Sequence, residues 1–221
     1  MRKWLTVIAA VTLVGGAQAQ KIAPKEALAN LEATWAKTDS YTCSEDAWTK
    51  AGSTEKTQGF DFSFKKPHLI RLKVRTDPHK GADVVYKGGK IRAAERILGI
   101  RMKKGMDSKE ADFYSARKVP FWEADMGSEI DAIKAVWPKA EATTERAKSG
   151  GDVYVFLTLK WKGEDPKLRQ GTHAYAVTYK IDPKTWFTVQ RTTTEDGIKV
   201  EDIQRSNVNL HANLADSAFN L

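Results

Sequence analysis

Among 221 residues the sequence holds one cysteine, Cys43. No intrachain disulfide can form, so stability must come from packing. The run Tyr41-Thr42-Cys43-Ser44 reads as strand, and Cys43 reads as a buried, inert thiol rather than a reactive nucleophile. Beyond the N-terminus, no apolar run approaches the roughly 18 residues of a membrane-spanning helix. The four histidines, His68, His79, His173 and His211, show no HExxH or other short metal-ligand spacing. A zinc site assembled only in space stays open. There is no GxSxG elbow and no phosphate-cradling glycine loop, and Gly88-Gly89 and Gly150-Gly151 read as turns. Glu123 and Asp125 have the residue types of a glycosidase pair, but loop carboxylates without a further signal read as solvated. These absences lead us to expect a non-enzymatic protein without cofactor or metal.

The first 19 residues have three parts. Arg2 and Lys3 form a short positive region, Trp4 to Val14 an apolar stretch, and Ala17-Gln18-Ala19 a small-x-small cleavage pattern. We therefore expect residues 1–19 to be a signal peptide and residues 20–221 a single exported domain, released into a bacterial periplasm. Losing Arg2 and Lys3 lowers the formal charge of +8 by two. A basic exported protein is suited to anionic membrane surfaces, lipid headgroups or acidic glycans, and the compartment argues against nucleic acid.

What the chain has in plenty is period-two alternation. Phe60, Phe62 and Phe64 alternate with Asp61, Ser63 and Lys65; after Lys66-Pro67, Ile70, Leu72 and Val74 alternate with Arg71, Lys73 and Arg75. This puts one apolar and one charged face on two neighbouring antiparallel strands. Further strands are expected at Tyr41–Thr49, Val84–Lys87, Lys90–Glu95 and Ile97–Met102. After Gly151 come Val153–Trp161, Ala174–Ile181, Trp186–Thr193 and Ile198–Leu210. Val153–Trp161 is apolar on both faces for half its length and should be covered on both. Leu28, Leu31 and Trp35 mark a helix after Pro24. Ser128 is the expected N-cap of a second, with Ile130, Ile133 and Trp137 on one stripe and Pro138 at its end. Ala140–Lys148 reads as a helical turn or a loop. The fold class is mainly β with added helices: about ten antiparallel strands in one curved sheet, interrupted by a helical insertion.

This order resembles the periplasmic lipoprotein carriers of the outer-membrane sorting (Lol) system, LolA and LolB, and more closely their uncharacterised exported relatives. The resemblance rests on Lys66-Pro67 before a basic strand ending at Arg75, the hairpin Val85-Tyr86-Lys87-Gly88-Gly89-Lys90, the turn Ile181-Asp182-Pro183-Lys184-Thr185-Trp186, and the tail from Asn207 to Phe219. It implies an unclosed β-barrel whose helices plug a hydrophobic cavity that receives acyl chains.

On that reading Phe60, Phe62, Phe64, Ile70, Leu72 and Val74 line the cavity, and Trp122, Ile130, Ile133 and Trp137 form its lid. On the residues alone, the same side chains can simply pack against one another as a core. Lys87, Lys90, Arg92, Arg96, Arg101, Lys103 and Lys104 form either a docking face for anionic lipid or an envelope protein, or the solvated outside of two strands. Two functions stay open. One is a periplasmic carrier of a lipid, acyl chain or lipoprotein; the other is an interaction or stress-sensing protein with a filled core and a basic docking face. The chain is expected to be monomeric.

Overall fold

The computed structural model describes residues 22–97, 100–106, 114–164 and 173–221. Helix α1 spans Pro24–Lys37, with Pro24 in the first turn, where its missing N–H is not needed, and with Ala27 and Leu31 buried. The strands are β1 Ser40–Ala51, β2 Thr54–Lys65, β3 Leu69–Val74, β4 Asp83–Lys87, β5 Lys90–Ile97 and β6 Ile100–Met106. After helix α2, Met126–Val136, come β7 Glu141–Ser149, β8 Asp152–Gly163, β9 His173–Asp182, β10 Phe187–Glu195 and β11 Ile198–Asn209.

The described strands form one 11-stranded sheet in the order β6-β5-β4-β3-β2-β1-β11-β10-β9-β8-β7. Every pairing is antiparallel. Two meanders are joined where β1 meets β11. Strands β6 and β7 end the order without pairing with each other, so the barrel is not closed. Register supplies the apolar face. Phe60, Phe62 and Phe64 lie opposite Val74, Leu72 and Ile70, and Cys43 and Tyr41 face Phe62 and Phe64 from the other side. Residues of one parity therefore line the concave side of every strand.

Several local expectations are corrected. Glu141–Ser149 is neither helix nor loop but the edge strand β7, joined to β8 through Gly150 and Gly151, both at positive φ. The N-cap of α2 is Asp125, not Ser128. Its Oδ1 accepts from Gly127 N at 2.8 Å and Ser128 N at 3.1 Å, and Ser128 Oγ donates to Oδ2 at 2.5 Å. Asp125 is thus a buried cap rather than a solvated loop carboxylate. Strand β8 is buried on one face only, at Val155, Leu157, Leu159 and Trp161. On its outer face Tyr154 and Phe156 are half-buried and Val153 is exposed, with Lys180 Nζ 4.1 Å from the Tyr154 ring centre. The expected strand Ile97–Met102 instead bridges the end of β5 and the start of β6, and Leu98 lies outside the described residues.

The two helices occupy the concave side. Leu31, Ile130, Ile133 and Val136 form one apolar cluster with Val155, Leu157, Leu159, Val177, Tyr179 and Ile181. From α1, Trp35 reaches across to Phe64, ring centres 5.2 Å apart. Gly127 is where α2 passes Trp35: a Cβ there would lie 2.5 Å from the Trp35 ring.

Candidate functional site

The half of the concavity formed by β1 to β5 is not filled by the helices. A cavity of about 440 Å³ lies there. Its apolar wall is Phe60, Phe62, Leu72, Val74, Val84 and Ala93, with Ala47 and Ile203 toward the seam between the meanders. It is roofed by the loop 114–124, which contributes Ser115, Val119, Pro120, Phe121, Glu123 and Ala124. Glu55, Thr57, Asp77 and Pro78, all exposed, also line it and mark the side that opens to solvent.

The roof is pinned by polar bonds rather than by periodic packing. Ala116 N donates to Thr49 Oγ1 at 3.0 Å, and Lys56 Nζ donates to Tyr114 O at 2.9 Å. Arg117, on the same loop, pairs with Glu195 at 2.6 Å. Trp122 stacks on Tyr86, ring centres 5.4 Å apart and 10° from parallel, while His68 Nε2 donates to Trp122 O at 2.7 Å.

The residues singled out from the sequence separate into groups. Phe60, Phe62, Leu72 and Val74 border the cavity. Phe64 and Ile70 share their face but are buried one row further along, where Trp35 and Tyr41 pack on Phe64. Trp122 holds the roof without bordering the cavity. Ile130 and Ile133 are buried in the α2 cluster, and half-buried Trp137 packs against it. Of the basic cluster, Lys87, Lys90 and Arg92 are exposed, and Lys87 Nζ donates to Asn220 Oδ1 at 3.1 Å. The side chains of Arg96, Arg101, Lys103 and Lys104 lie outside the described residues. Among the described residues no group of three potential metal ligands comes together.

Sequence reasoning missed the charges that separate the packed half from the cavity. Arg191 on β10 donates from Nε and Nη2 to Glu201 on β11 at 3.0 and 2.9 Å, and from Nη1 to Glu129 on α2 at 3.3 Å. Arg205 on β11 donates from Nε to Glu45 on β1 at 2.9 Å and from Nη1 to Glu129 at 3.1 Å. Thr193 Oγ1 adds a 2.8 Å bond to Glu201. All six residues are buried. Burial opposes the charge of Arg191, but Glu201 and Glu129 outweigh it and hold its pKa above the ordinary value. Burial likewise pushes the Glu201 carboxyl up, and Arg191 more than offsets this, leaving it below the usual range. The Cys43 thiol is pushed up to about 12 by burial, with Glu45 adding to the effect. A signal was present in the sequence: Glu45, Arg191, Glu201 and Arg205 sit at the inward parity of their strands, where apolar residues are the rule.

No protein-family model and no curated protein matches the chain. Solved structures do. LppX, a lipoprotein of Mycobacterium tuberculosis, matches at 11% identity over 87% of this chain and 100% of that one, with a TM-score of 0.50. LprF of Mycobacterium bovis matches at 14% identity over 89% and 97%, TM-score 0.48. A LolA superfamily protein of Nitrosomonas europaea matches at 10% identity over 92% and 99%, TM-score 0.42. The architecture is accordingly an unclosed antiparallel barrel of the kind that LppX has. Identities this low speak to the fold, and function has to be argued from the site.

Proposed function

We propose that the protein is an exported, non-enzymatic binding or carrier protein that shelters a lipid or acyl chain in the cavity between β1–β5 and the loop 114–124. The observation that carries this reading is the largely apolar space of about 440 Å³ beside the cluster in which α1 and α2 pack on β8 and β9. Phe60, Phe62, Leu72 and Val74 form the binding surface, Trp122 keeps the roof in place, and Phe64, Ile70, Ile130, Ile133 and Trp137 make the packed floor against which the cavity is shaped. A guest burying about 300 Å² of apolar surface at ~25 cal/mol per Å² gains about 7.5 kcal/mol before association costs, corresponding at best to micromolar affinity.

Export to the periplasm rests on the tripartite segment Met1–Ala19, which lies outside the described residues. No helix of the described residues is long and apolar enough to cross a membrane. The basic hairpin bearing Lys87, Lys90 and Arg92, with Arg96, Arg101, Lys103 and Lys104 further along, brings the cavity to an anionic bilayer, at ~1 kcal/mol per charge near the surface.

The test is lipid extraction and mass spectrometry on natively purified protein, together with displacement of an apolar dye. Wild type should carry lipid and bind dye. Leu72→Glu, placing a carboxylate in the wall, should lose dye binding while keeping its fold. A folded wild type that carries no lipid and binds no dye would leave the protein as an interaction module with a basic face.

A further inference from the structure

Resting on that reading, we propose that the cavity takes one unbranched acyl or alkyl chain and excludes multi-chain lipids while α2 is seated. At the ~30 Å³ of liquid volume that a water-sized group occupies, 440 Å³ holds roughly 15 heavy atoms, the content of one long chain without its head group. A second chain would need about as much space again.

On the side of the helices the described residues are already packed together. Across the buried charges, Val155, Leu157, Leu159 and Ile133 are fully buried in one apolar cluster. A separate void bordered by Arg117, Ala132, Val136 and Tyr179 measures about 40 Å³, room for one or two methylene groups. Arg191 and Glu201 border both spaces and stand between them. Enlarging the cavity in this direction means withdrawing α2. That would strip Glu129 from both Arg191 and Arg205 and leave two buried guanidinium groups each short of a partner. Outward growth is blocked by the hydrogen-bonded strands β1–β5.

The lining also fixes the direction of entry. Glu55, Thr57, Asp77 and Pro78 are exposed at one side, with Lys56 and His79 beside them, whereas Phe62, Leu72 and Val84 are buried at the other. The chain runs inward along the buried wall and the head group stays hydrated at the mixed-charge rim. A free fatty acid and a lysophospholipid present the same chain.

The experiment uses the full mature chain, native mass spectrometry and dye displacement below micelle concentrations. The probes are laurate, myristate, palmitate, stearate, palmitoyl-lysophosphatidylcholine and dimyristoylphosphatidylcholine. We expect one single-chain probe per protein, with the diacyl lipid at least tenfold weaker. Binding of both fatty acid and lysolipid identifies the chain as what is read; binding of one alone identifies the head-group source. Ala93→Leu and, as a second variant, Ala82→Leu each add about three carbons to the wall and should lower the preferred chain length by a similar number. Dimyristoylphosphatidylcholine binding as tightly as palmitate, or an unchanged chain preference in both folded variants, overturns the inference and leaves lipid binding standing. A folded wild type that binds none of the probes overturns both.

Discussion

Arg205 is the most informative position to perturb. Its guanidinium donates to Glu45 and Glu129 and also to Thr188 O at 3.3 Å and Ala124 O at 3.3 Å, tying β1, β11, α2 and the roof together. Arg205→Met keeps much of the volume and removes the charge. Glu129 retains Arg191, but Glu45, 3% exposed, loses the cation that neutralises it. Breaking a buried pair from one side costs about 3–5 kcal/mol. The loss through Glu45 is therefore about 3–5 kcal/mol, a drop in Tm on the order of 10 °C for a domain of this size.

Urea unfolding at pH 7 measures the loss. The double variant Arg205→Met/Glu45→Gln should recover at least half of the loss, because glutamine is neutral without a proton. A single-variant cost under about 1 kcal/mol, or a double variant no more stable than the single, would refute the assignment of a buried charge pair here.

Gly127→Ala should cost about 1–3 kcal/mol, read by urea unfolding, because the added methyl meets the Trp35 ring at 2.5 and 2.7 Å. Cys43, with its thiol pushed up to about 12 by burial, should resist a thiol-reactive dye at pH 8 in the native protein and react once per chain in urea. Glu201 is pushed up by burial and brought below the usual carboxylate range by Arg191. It therefore contributes stability that is complete above its ordinary value of ~4.3 and lost only as pH falls through the lower folded one. Glu201→Gln should accordingly destabilise the protein at pH 6, and the gap to wild type should close on acidification.

The parts of the fold legible in the sequence were those in which period two and register agree. Phe60, Phe62 and Phe64 could be matched to Ile70, Leu72 and Val74 because a short connection leaves few pairings that keep both apolar sets on one face. Strand β7 was hidden because an edge strand packs on one neighbour only, so Ala142 and Thr144 suffice on its inner side and no large apolar residue announces it. The N-cap was misplaced by three residues because Ser128 and Asp125 are both capping types, and only the geometry shows the serine hydroxyl donating to the aspartate. The roof had no period to read, since 114–124 is held by Thr49 Oγ1, Lys56 Nζ and an aromatic stack contributed from distant strands.

The buried charges and the cavity are best understood together. A space of 440 Å³ costs up to about 10 kcal/mol at ~24 cal/mol per Å³, an upper figure for one that opens to solvent. An interior of aliphatic side chains would relax inward to reclaim much of that. Replacing a buried ion pair by apolar residues of similar volume is often neutral or stabilising, so Glu45, Glu129, Glu201, Arg191 and Arg205 are poorly explained as devices for stability alone. What they supply is rigidity of position. Each group is fixed by directional bonds to a partner on another element, and none can tilt toward the cavity without leaving an opposite charge unpaired. On the other sides the walls are a hydrogen-bonded sheet and a pinned roof. The charged ridge lets the helices pack tightly against β8–β10 without drawing β1–β5 closed. If that is its role, replacing the ridge by apolar residues should raise stability while shrinking or abolishing dye binding; a stabilised variant that bound dye as before would show that the ridge does not hold the cavity open.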